Sequence, residues 1–141
     1  MRLMVVLILS LFLWRWNKAD PMEHLPKLAG CWAIQEVVLP DGSKRDFTAN
    51  TVIDYIELQG ANGVRKKLSP SLNGRYLTTT SSETFFAMVD NGKLILEYRT
   101  AFDSWQEEIL TAGDSTFTAR NEDGKLYTYK RYVPLNLNDL P

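Results

Sequence analysis

Residues 85–98 read FFAMVDNGKLILEY, two apolar runs on either side of the Asn91-Gly92 pair. In the second run Leu94, Leu96 and Tyr98 fall on one face and their neighbours on the other, which is the two-residue period of a β-strand. Asn and Gly both tolerate the positive φ that a tight hairpin turn requires. The stretch therefore predicts two antiparallel strands joined by a short turn.

The same pattern continues along the chain. Further turn signals are Asp41-Gly42, Asn62-Gly63, Asn73-Gly74 and Asp123-Gly124, with Gly113-Asp114 as a looser candidate. The runs between them are rich in Val, Ile, Thr, Tyr and Phe, which suit a pleated surface. Nine strands are predicted, over residues 31–39, 52–58, 63–68, 74–80, 84–89, 93–100, 104–111, 116–121 and 126–133.

The regular spacing of these predicted strands along the sequence is typical of an all-β protein. Because the connections between successive strands are short, a sequential meander, in which each strand pairs with the next, is favoured. A meander with one apolar face closes most simply on itself, which also removes its exposed edges. The expected fold is therefore an all-β, antiparallel, up-and-down β-barrel of eight to nine strands. Residues 21–27 are expected to form a short turn over one end.

The N-terminus has a different character. Residues 3–14 read LMVVLILSLFLW, with Arg2 before them and a polar continuation from Arg15, the pattern of a secretory signal peptide. Twelve helical residues span roughly 18 Å, which is short for a transmembrane helix. Because Asn17-Lys18-Ala19 retains only the last Ala of a cleavage site, a cleaved signal and an uncleaved anchor both stay open.

The predicted organisation follows from these patterns. Residues 1–19 are a signal peptide or membrane anchor, residues 20–133 the barrel, and residues 134–141 a C-terminal tail. The protein is expected to be exported, and to be periplasmic, in the cell envelope or secreted. Contact with a membrane is expected only through the N-terminal segment.

Composition excludes several classes of function. The formal net charge is −1, and because residues 1–19 hold three of the 16 basic residues and no acid, the remainder carries −4. Such a chain lacks the basic surface that nucleic-acid binding needs. One cysteine and one histidine provide neither a disulfide framework nor a zinc site. We expect no metal and no cofactor.

Both ends of the predicted barrel resemble a known family. The first strand opens with Leu28-Ala29-Gly30-Cys31-Trp32, which contains Gly-x-Trp, and the last contains Tyr127-Thr128-Tyr129-Lys130-Arg131-Tyr132. Over residues 28–133 the chain resembles the lipocalin-like domain of small exported proteins of Bacteroidetes-type bacteria. The resemblance implies that Gly30, Trp32 and Arg131 close one end of the barrel, with Arg131 lying across the Trp32 ring.

The chain departs from these relatives in two respects. Their lipobox cysteine directly follows the signal. Here residues 15–27 separate the lipobox-like Leu28-Ala29-Gly30-Cys31 from the apolar run, so lipidation of Cys31 is not expected. Barrels of related shape that bind haem use a histidine ligand. The histidine of this chain, His24, precedes the first strand, so a haem site is not expected either.

A barrel of this size is either filled by side chains or holds one small ligand. In the binding hypothesis, a small hydrophobic or amphipathic molecule occupies an interior lined by aromatic and apolar side chains whose hydroxyls orient a polar group. The predicted lining residues are Tyr55 or Ile56, Tyr76, Phe85, Met88, Tyr98, Tyr127 and Tyr129. In the alternative, these side chains fill the core and the barrel is a structural module or binds a protein partner at the cell envelope.

The charged residues do not suggest catalysis. The run Arg65-Lys66-Lys67 is expected to be a solvated edge strand, in preference to a gate for an anionic head group. Glu107 and Glu108 are adjacent in a strand and so face opposite sides, which argues against an acid–base pair. No Gly-x-Ser-x-Gly or phosphate-binding glycine motif occurs in the sequence. We do not predict an enzyme.

Overall fold

The computed structural model describes residues 19–49, 52–71 and 75–133, which form one antiparallel sheet of nine strands. The strands are β1 (Gly30–Val38), β2 (Lys44–Asp46), β3 (Ile53–Gln59), β4 (Asn62–Pro70), β5 (Tyr76–Asp90), β6 (Lys93–Arg99), β7 (Ser104–Ala112), β8 (Thr116–Asn121) and β9 (Leu126–Arg131). The predicted signal or anchor segment, the C-terminal tail and the Asn73-Gly74 turn lie outside the described residues.

The sheet closes because β1 pairs with β9, placing Trp32 opposite Arg131 and Val38 opposite Leu126. The other edge of β1 pairs with β3 near its start and with β2 near its end. Eight strands therefore form a closed, antiparallel barrel, and β2 is an additional strand. The predicted up-and-down barrel of eight to nine strands is confirmed.

Several predicted turns lie between strands as expected. Asn91 and Gly92 both adopt positive φ, of 49° and 73°, and connect β5 to β6. Gly42 and Gly124, with φ of 86° and 79°, lie in the connections that precede β2 and β9. Local chain reversal in these connections is therefore encoded by the Asn/Asp-Gly pairs themselves.

The Asn62-Gly63 prediction is wrong, because both residues belong to β4 and the turn lies at Gly60-Ala61. Gly63 is directly opposite Phe85 on β5. A Cβ atom added to Gly63 would lie 2.0 Å from the Phe85 ring. Glycine is required there to admit an aromatic ring against the strand, not to reverse the chain.

The predicted number of strands is right, but two elements differ. Residues 76–90 form one strand of 15 residues, β5, where two strands were predicted. The pairing between β4 and β5 shifts between Lys66 and Leu68, which accommodates the extra residues without ending the strand. The three-residue strand β2 was not predicted, because its sequence Lys-Arg-Asp is polar and fully exposed.

A 3-10 helix, Pro21–Leu28, covers one end of the barrel and contacts β5, β6 and β7. The Asp20 carboxylate accepts a hydrogen bond of 3.0 Å from the Met22 backbone N–H and so caps the helix. Leu25 and Leu28 are buried among the core residues. We call the end of the barrel that the 3-10 helix covers the closed end. The opposite end, which carries the connections 39–43, 100–103 and 122–125, is called the open end. In the described part of the chain, no helix has the length and apolar character to cross a membrane.

Candidate functional site

Arg131 joins three segments at the closed end. Its Nε donates to the Asp114 carbonyl at 2.6 Å, Nη1 to the Ala29 carbonyl at 2.9 Å and Nη2 to the Lys27 carbonyl at 2.9 Å. The guanidinium carbon lies 4.1 Å from the centroid of the Trp32 ring, in cation–π geometry. The Arg131 side chain therefore clamps the β7–β8 connection and the end of the 3-10 helix onto the barrel floor.

The contacts of Arg131 require a glycine at position 30, and its charge acts on the neighbouring Cys31 thiol. Gly30 has φ of +119°, and a Cβ atom there would lie 2.7 Å from Nη1 of Arg131, so a side chain would displace the guanidinium. Cys31 is buried on the face opposite Trp32. Burial raises the pKa of the Cys31 thiol, and the charge of Arg131 offsets this only in part. The thiol is therefore protonated and unreactive near neutral pH.

Two series of neighbouring aromatic rings, which we call columns, line the interior. The first crosses β5, β6 and β7 at directly paired positions, and the second crosses from β8 to β9 and continues along β9. The first column is Phe85, Tyr98 and Trp105, and the second is Phe117, Tyr129 and Tyr127. Ring centroids are 5.3 Å apart at both steps of the first column, and 4.4 and 6.3 Å apart in the second. Each column ends in a partly buried ring, Trp105 or Tyr127, near the start of a strand at the open end.

Arg65 lies between the two columns. Its Nη1 donates to the Tyr98 hydroxyl at 3.0 Å and to Oε1 of Glu107 at 3.2 Å, and its Nη2 donates to Oδ2 of Asp54 at 2.9 Å. The guanidinium carbon lies 5.1 Å from the Tyr129 ring centroid. The side chains of Arg65, Asp54 and Glu107 are only 6%, 8% and 11% exposed. We call these three residues, with Lys67, the charged layer.

The prediction that residues 65–67 form a solvated edge strand is therefore wrong. β4 is paired on both sides, with β3 and β5, so it is not an edge. Arg65 points inward, while Lys66 points outward with its Nζ 3.9 Å from a Glu57 carboxylate oxygen. Lys67 shares the inward face and contacts the Asp54 carboxylate. The two-residue period of the strand separates Arg65 and Lys67 from Lys66, and that signal could have identified the buried arginine.

Burial and charge act differently on the two carboxyl groups of the charged layer. For Asp54, burial would raise the pKa, but Arg65 and Lys67 together outweigh it and hold the pKa below its usual value. For Glu107, burial raises the pKa, and the attraction of Arg65 only partly offsets it. Asp54 is therefore the carboxylate more firmly held in its charged form, and Glu107 is the one closer to taking up a proton.

One donor in the charged layer is not used. Nε of Arg65 is buried and has no hydrogen-bond partner among the described residues. A buried donor without an acceptor costs free energy, on the order of 1–3 kcal/mol. An oxygen atom supplied by a bound molecule or by water would remove that cost.

The structure brings together four of the seven predicted lining residues. Phe85, Tyr98, Tyr127 and Tyr129 face the interior, as does Ile56, the residue considered as an alternative to Tyr55. Tyr98 and Tyr129 converge on Arg65 and are almost wholly buried. Burial raises the pKa of both phenols. The middle of the barrel is thus filled, and only its open end offers partly exposed aromatic surface.

The other three predicted lining residues lie on the opposite face of the sheet. Tyr55 is between the inward-facing Asp54 and Ile56, so it points outward. Tyr76 packs on Tyr132, with ring centroids 6.4 Å apart, in a separate cluster around Cys31. Met88 also points outward, so the prediction that it lines the interior is wrong. It is three residues from Phe85 on β5, and an odd separation in a strand places two side chains on opposite faces.

Met88 instead lines a depression on the outer wall, formed by β3 to β6, with a volume of about 900 Å³. Phe86, which is 48% exposed, lies in the same depression beside Val64, Glu97 and Arg99. The sequence left open that loops or an outer face bind a partner, but it did not identify these residues. The exposed Phe86 is the signal that could have indicated it.

The described residues contain no cluster of three or more side chains that could hold a metal ion. Asp54 and Glu107 both bind Arg65, so they form parts of an ion-pair network. This arrangement leaves one buried donor, Nε–H of Arg65, that a hydrogen-bond acceptor could satisfy.

Comparisons with known proteins find similarity in fold only. No protein-family model matches the chain, and no curated protein sequence matches it. A lipocalin-like protein from Bacteroides uniformis is similar with a TM-score of 0.48 and 10% identity, over 75% of this chain and 99% of the other. A protein from Bacteroides eggerthii has a TM-score of 0.47 and 12% identity, over 74% and 98% of the two chains. Apocrustacyanin C1 has a TM-score of 0.46 and 12% identity, over 87% and 69%.

Proposed function

We propose that this chain is an exported, lipocalin-like binding protein that takes a small amphipathic molecule at the open end of its barrel. The polar end of the molecule points inward, to the charged layer. Its apolar part lies against the rings of Trp105 and Tyr127. The buried Arg65, with one N–H donor unsatisfied between two aromatic columns, is the observation that carries this proposal.

The energetics of the charged layer support a role in binding. Removing charged groups from water is costly, and the attraction between them repays that cost only in part. Replacing a buried ion cluster by well-packed apolar side chains is often neutral or stabilising. A barrel that needed only a filled interior would thus gain little from Arg65, Asp54 and Glu107, whereas a barrel that orients a polar ligand would use them.

The site is shallower than the sequence predicted. Tyr98 and Tyr129 occupy the middle of the barrel, so the molecule binds above them and not in a deep cavity. The rings of Trp105 and Tyr127 are partly buried and offer flat apolar surface. A compact ring system with one polar group fits this geometry better than a long acyl chain. Export rests on the signal-like pattern of residues 2–19 alone.

Native mass spectrometry of the protein recovered from the compartment to which cells deliver it tests this proposal. We expect an additional mass that is lost on denaturation, and its loss in the variant Arg65→Met. Arg120→Met is the matched control, because Arg120 is exposed and contacts Glu108 at 3.6 Å on the outer face. Unbound wild-type protein, with no response to added small aromatic alcohols, would contradict the proposal.

A second function is favoured by the depression on the outer wall. Its exposed Phe86 and its volume of about 900 Å³ suit a cell-envelope protein partner, in which case the barrel acts as an interaction module. Crosslinking in cells tests this function. We expect Phe86→Ser to remove a specific adduct and Phe102→Ser, at a fully exposed loop phenylalanine, to retain it. Equal adducts in both variants would argue against this function.

A further inference from the structure

We propose that the open end of the barrel selects a molecule with a neutral oxygen, a hydroxyl or a carbonyl, over one with a carboxylate, and that Glu107 sets this preference. This inference rests on the proposed function and specifies the ligand of the same site. An arginine inside a binding barrel is ordinarily expected to pair with an acidic ligand, whereas this inference assigns a neutral oxygen to Arg65.

The charge of the site argues against an acidic ligand. In the charged layer, the two cations Arg65 and Lys67 are balanced by the two anions Asp54 and Glu107. Glu83 of β5 lies directly opposite Arg65 and so faces the same side of the sheet. The charged layer together with Glu83 therefore sums to −1, while Arg131, on the same face, is held at the closed end by three backbone carbonyls. A carboxylate beside Arg65 would enter against this nearer negative charge while losing its own hydration.

The hydrogen-bonding pattern indicates what the site accepts instead. Nη1 and Nη2 of Arg65 already donate to Tyr98, Glu107 and Asp54. Among the residues that the structure describes, the buried side-chain group without a hydrogen-bond partner is a donor, Nε–H of the same guanidinium. A hydroxyl or carbonyl oxygen accepts from such a donor without bringing a charge, whereas an ammonium group has no lone pair to offer. The donor thus selects against cations, and the charge selects against anions.

Glu107 is the residue that causes the selection against anionic ligands. Its carboxylate accepts from Nη1 of Arg65 at 3.2 Å, the same nitrogen that donates to Tyr98 of the first column, and Glu107 is on the strand of Trp105. The Asp54 carboxylate is held by Arg65 and Lys67 together, so the pairing of Glu107 with Arg65 is the simpler one to remove. Replacing Glu107 by Gln leaves a side chain of the same shape and one positive charge more.

Isothermal titration calorimetry on the full chain at pH 7.5 tests the inference with three probes of one skeleton: 2-naphthylmethanol, 2-naphthoate and 2-naphthylmethylammonium. With the wild type we expect the alcohol to bind at least about tenfold more tightly than either ion. Glu107→Gln should raise the affinity for 2-naphthoate by about tenfold or more, since the repelling charge is gone. Glu108→Gln, the same change on the adjacent outward-facing residue, should alter none of the three affinities.

The outcomes separate the inference from the function on which it rests. If 2-naphthoate binds the wild type as tightly as the alcohol, or if Glu107→Gln and Glu108→Gln behave alike, the inference is overturned and the binding function stands. If no probe binds any form, both are overturned. Should Glu107→Gln not fold, Lys67→Met provides the converse test: it should weaken binding of 2-naphthoate more than binding of the alcohol, and an equal effect on the two probes would overturn the inference.

Discussion

Arg131 at the closed end and Arg65 in the charged layer both lie over aromatic rings, but their hydrogen-bond partners differ. Arg131 stacks on Trp32 at the closed end and donates to three backbone carbonyls. Arg65 stacks on Tyr129 further in and donates to two carboxylates and a phenol. Three backbone carbonyls satisfy all of Nε, Nη1 and Nη2 in Arg131, whereas Nε of Arg65 has no hydrogen-bond partner in the described part of the chain.

This difference distinguishes a structural arginine from one suited to binding. Neutral carbonyls fix the guanidinium of Arg131 without adding buried charge, so the clamp stabilises the chain segments that supply them. The carboxylates around Arg65 add buried charges of their own, which contribute little net stability. Arg131 therefore belongs to the fold, and Arg65 is the arginine to which we assign the proposed ligand contact.

The largest effect is expected at the closed end. Trp32→Ala should lower the free energy of unfolding by about 4 kcal/mol, because it removes a fully buried ring and the surface on which Arg131 stacks. Equilibrium unfolding in urea measures this. A loss below about 1 kcal/mol would show that Trp32 does not form the barrel floor.

Replacing Arg65 alone should cost almost as much. Arg65→Met leaves Asp54 and Glu107 buried without their common cation, and we expect a loss of about 3 kcal/mol in the free energy of unfolding. The double variant Arg65→Met/Glu107→Gln should recover part of this loss, because one uncompensated charge is removed. If the double variant is less stable than Arg65→Met, the cost does not come from unpaired carboxylates.

A smaller effect is expected for the clamp. Arg131→Lys retains the positive charge over Trp32 but cannot donate to three separate carbonyls, and should cost about 1–2 kcal/mol. Thermal unfolding compared with Lys130→Arg, a change at the exposed neighbouring position, provides the measurement. No change in melting temperature would mean that the carbonyl contacts do not hold the segments together.

The smallest effect is a dependence on pH. Since the pKa of Glu107 is raised on folding, the folded chain holds this proton more tightly than the unfolded chain. Its contribution to stability is complete below the unfolded pKa and is lost as the pH rises through the folded pKa. The stability of the wild type relative to Glu107→Gln should therefore fall from pH 4 towards neutrality, as measured by urea unfolding at each pH. A relative stability that rises over this range would contradict the raised pKa.

Local signals were sufficient for most of the fold. Asn91-Gly92 adopts the backbone that its residue types favour, and the alternation of Leu94, Leu96 and Tyr98 gives the inward face correctly. Where the prediction was wrong, a contact distant in sequence decided the structure. Gly63 is a glycine because the Phe85 ring approaches it from the next strand, and no feature of residues 62–63 alone contains that information.

The site was less predictable than the fold. A run of three basic residues resembles a solvated edge, and Arg65 differs from Lys66 only in its position in the two-residue period. Its burial depends on carboxylates that arrive from β3 and β7, 11 and 42 residues away in sequence. Alternation could have placed Arg65 inward, but the three-strand register that creates the charged layer required the structure.

The pairing of β1 with β9 also determines the end of the barrel at which both ends of the described chain lie. Trp32 and Arg131 are partners, so the described chain enters and leaves the barrel at the closed end. Anything joined before residue 19 or after residue 133 is tethered to that end. In a chain held at a surface by either terminus, the tether would attach at the Arg131 end, and the partly exposed rings of Trp105 and Tyr127 would lie at the far end of the barrel.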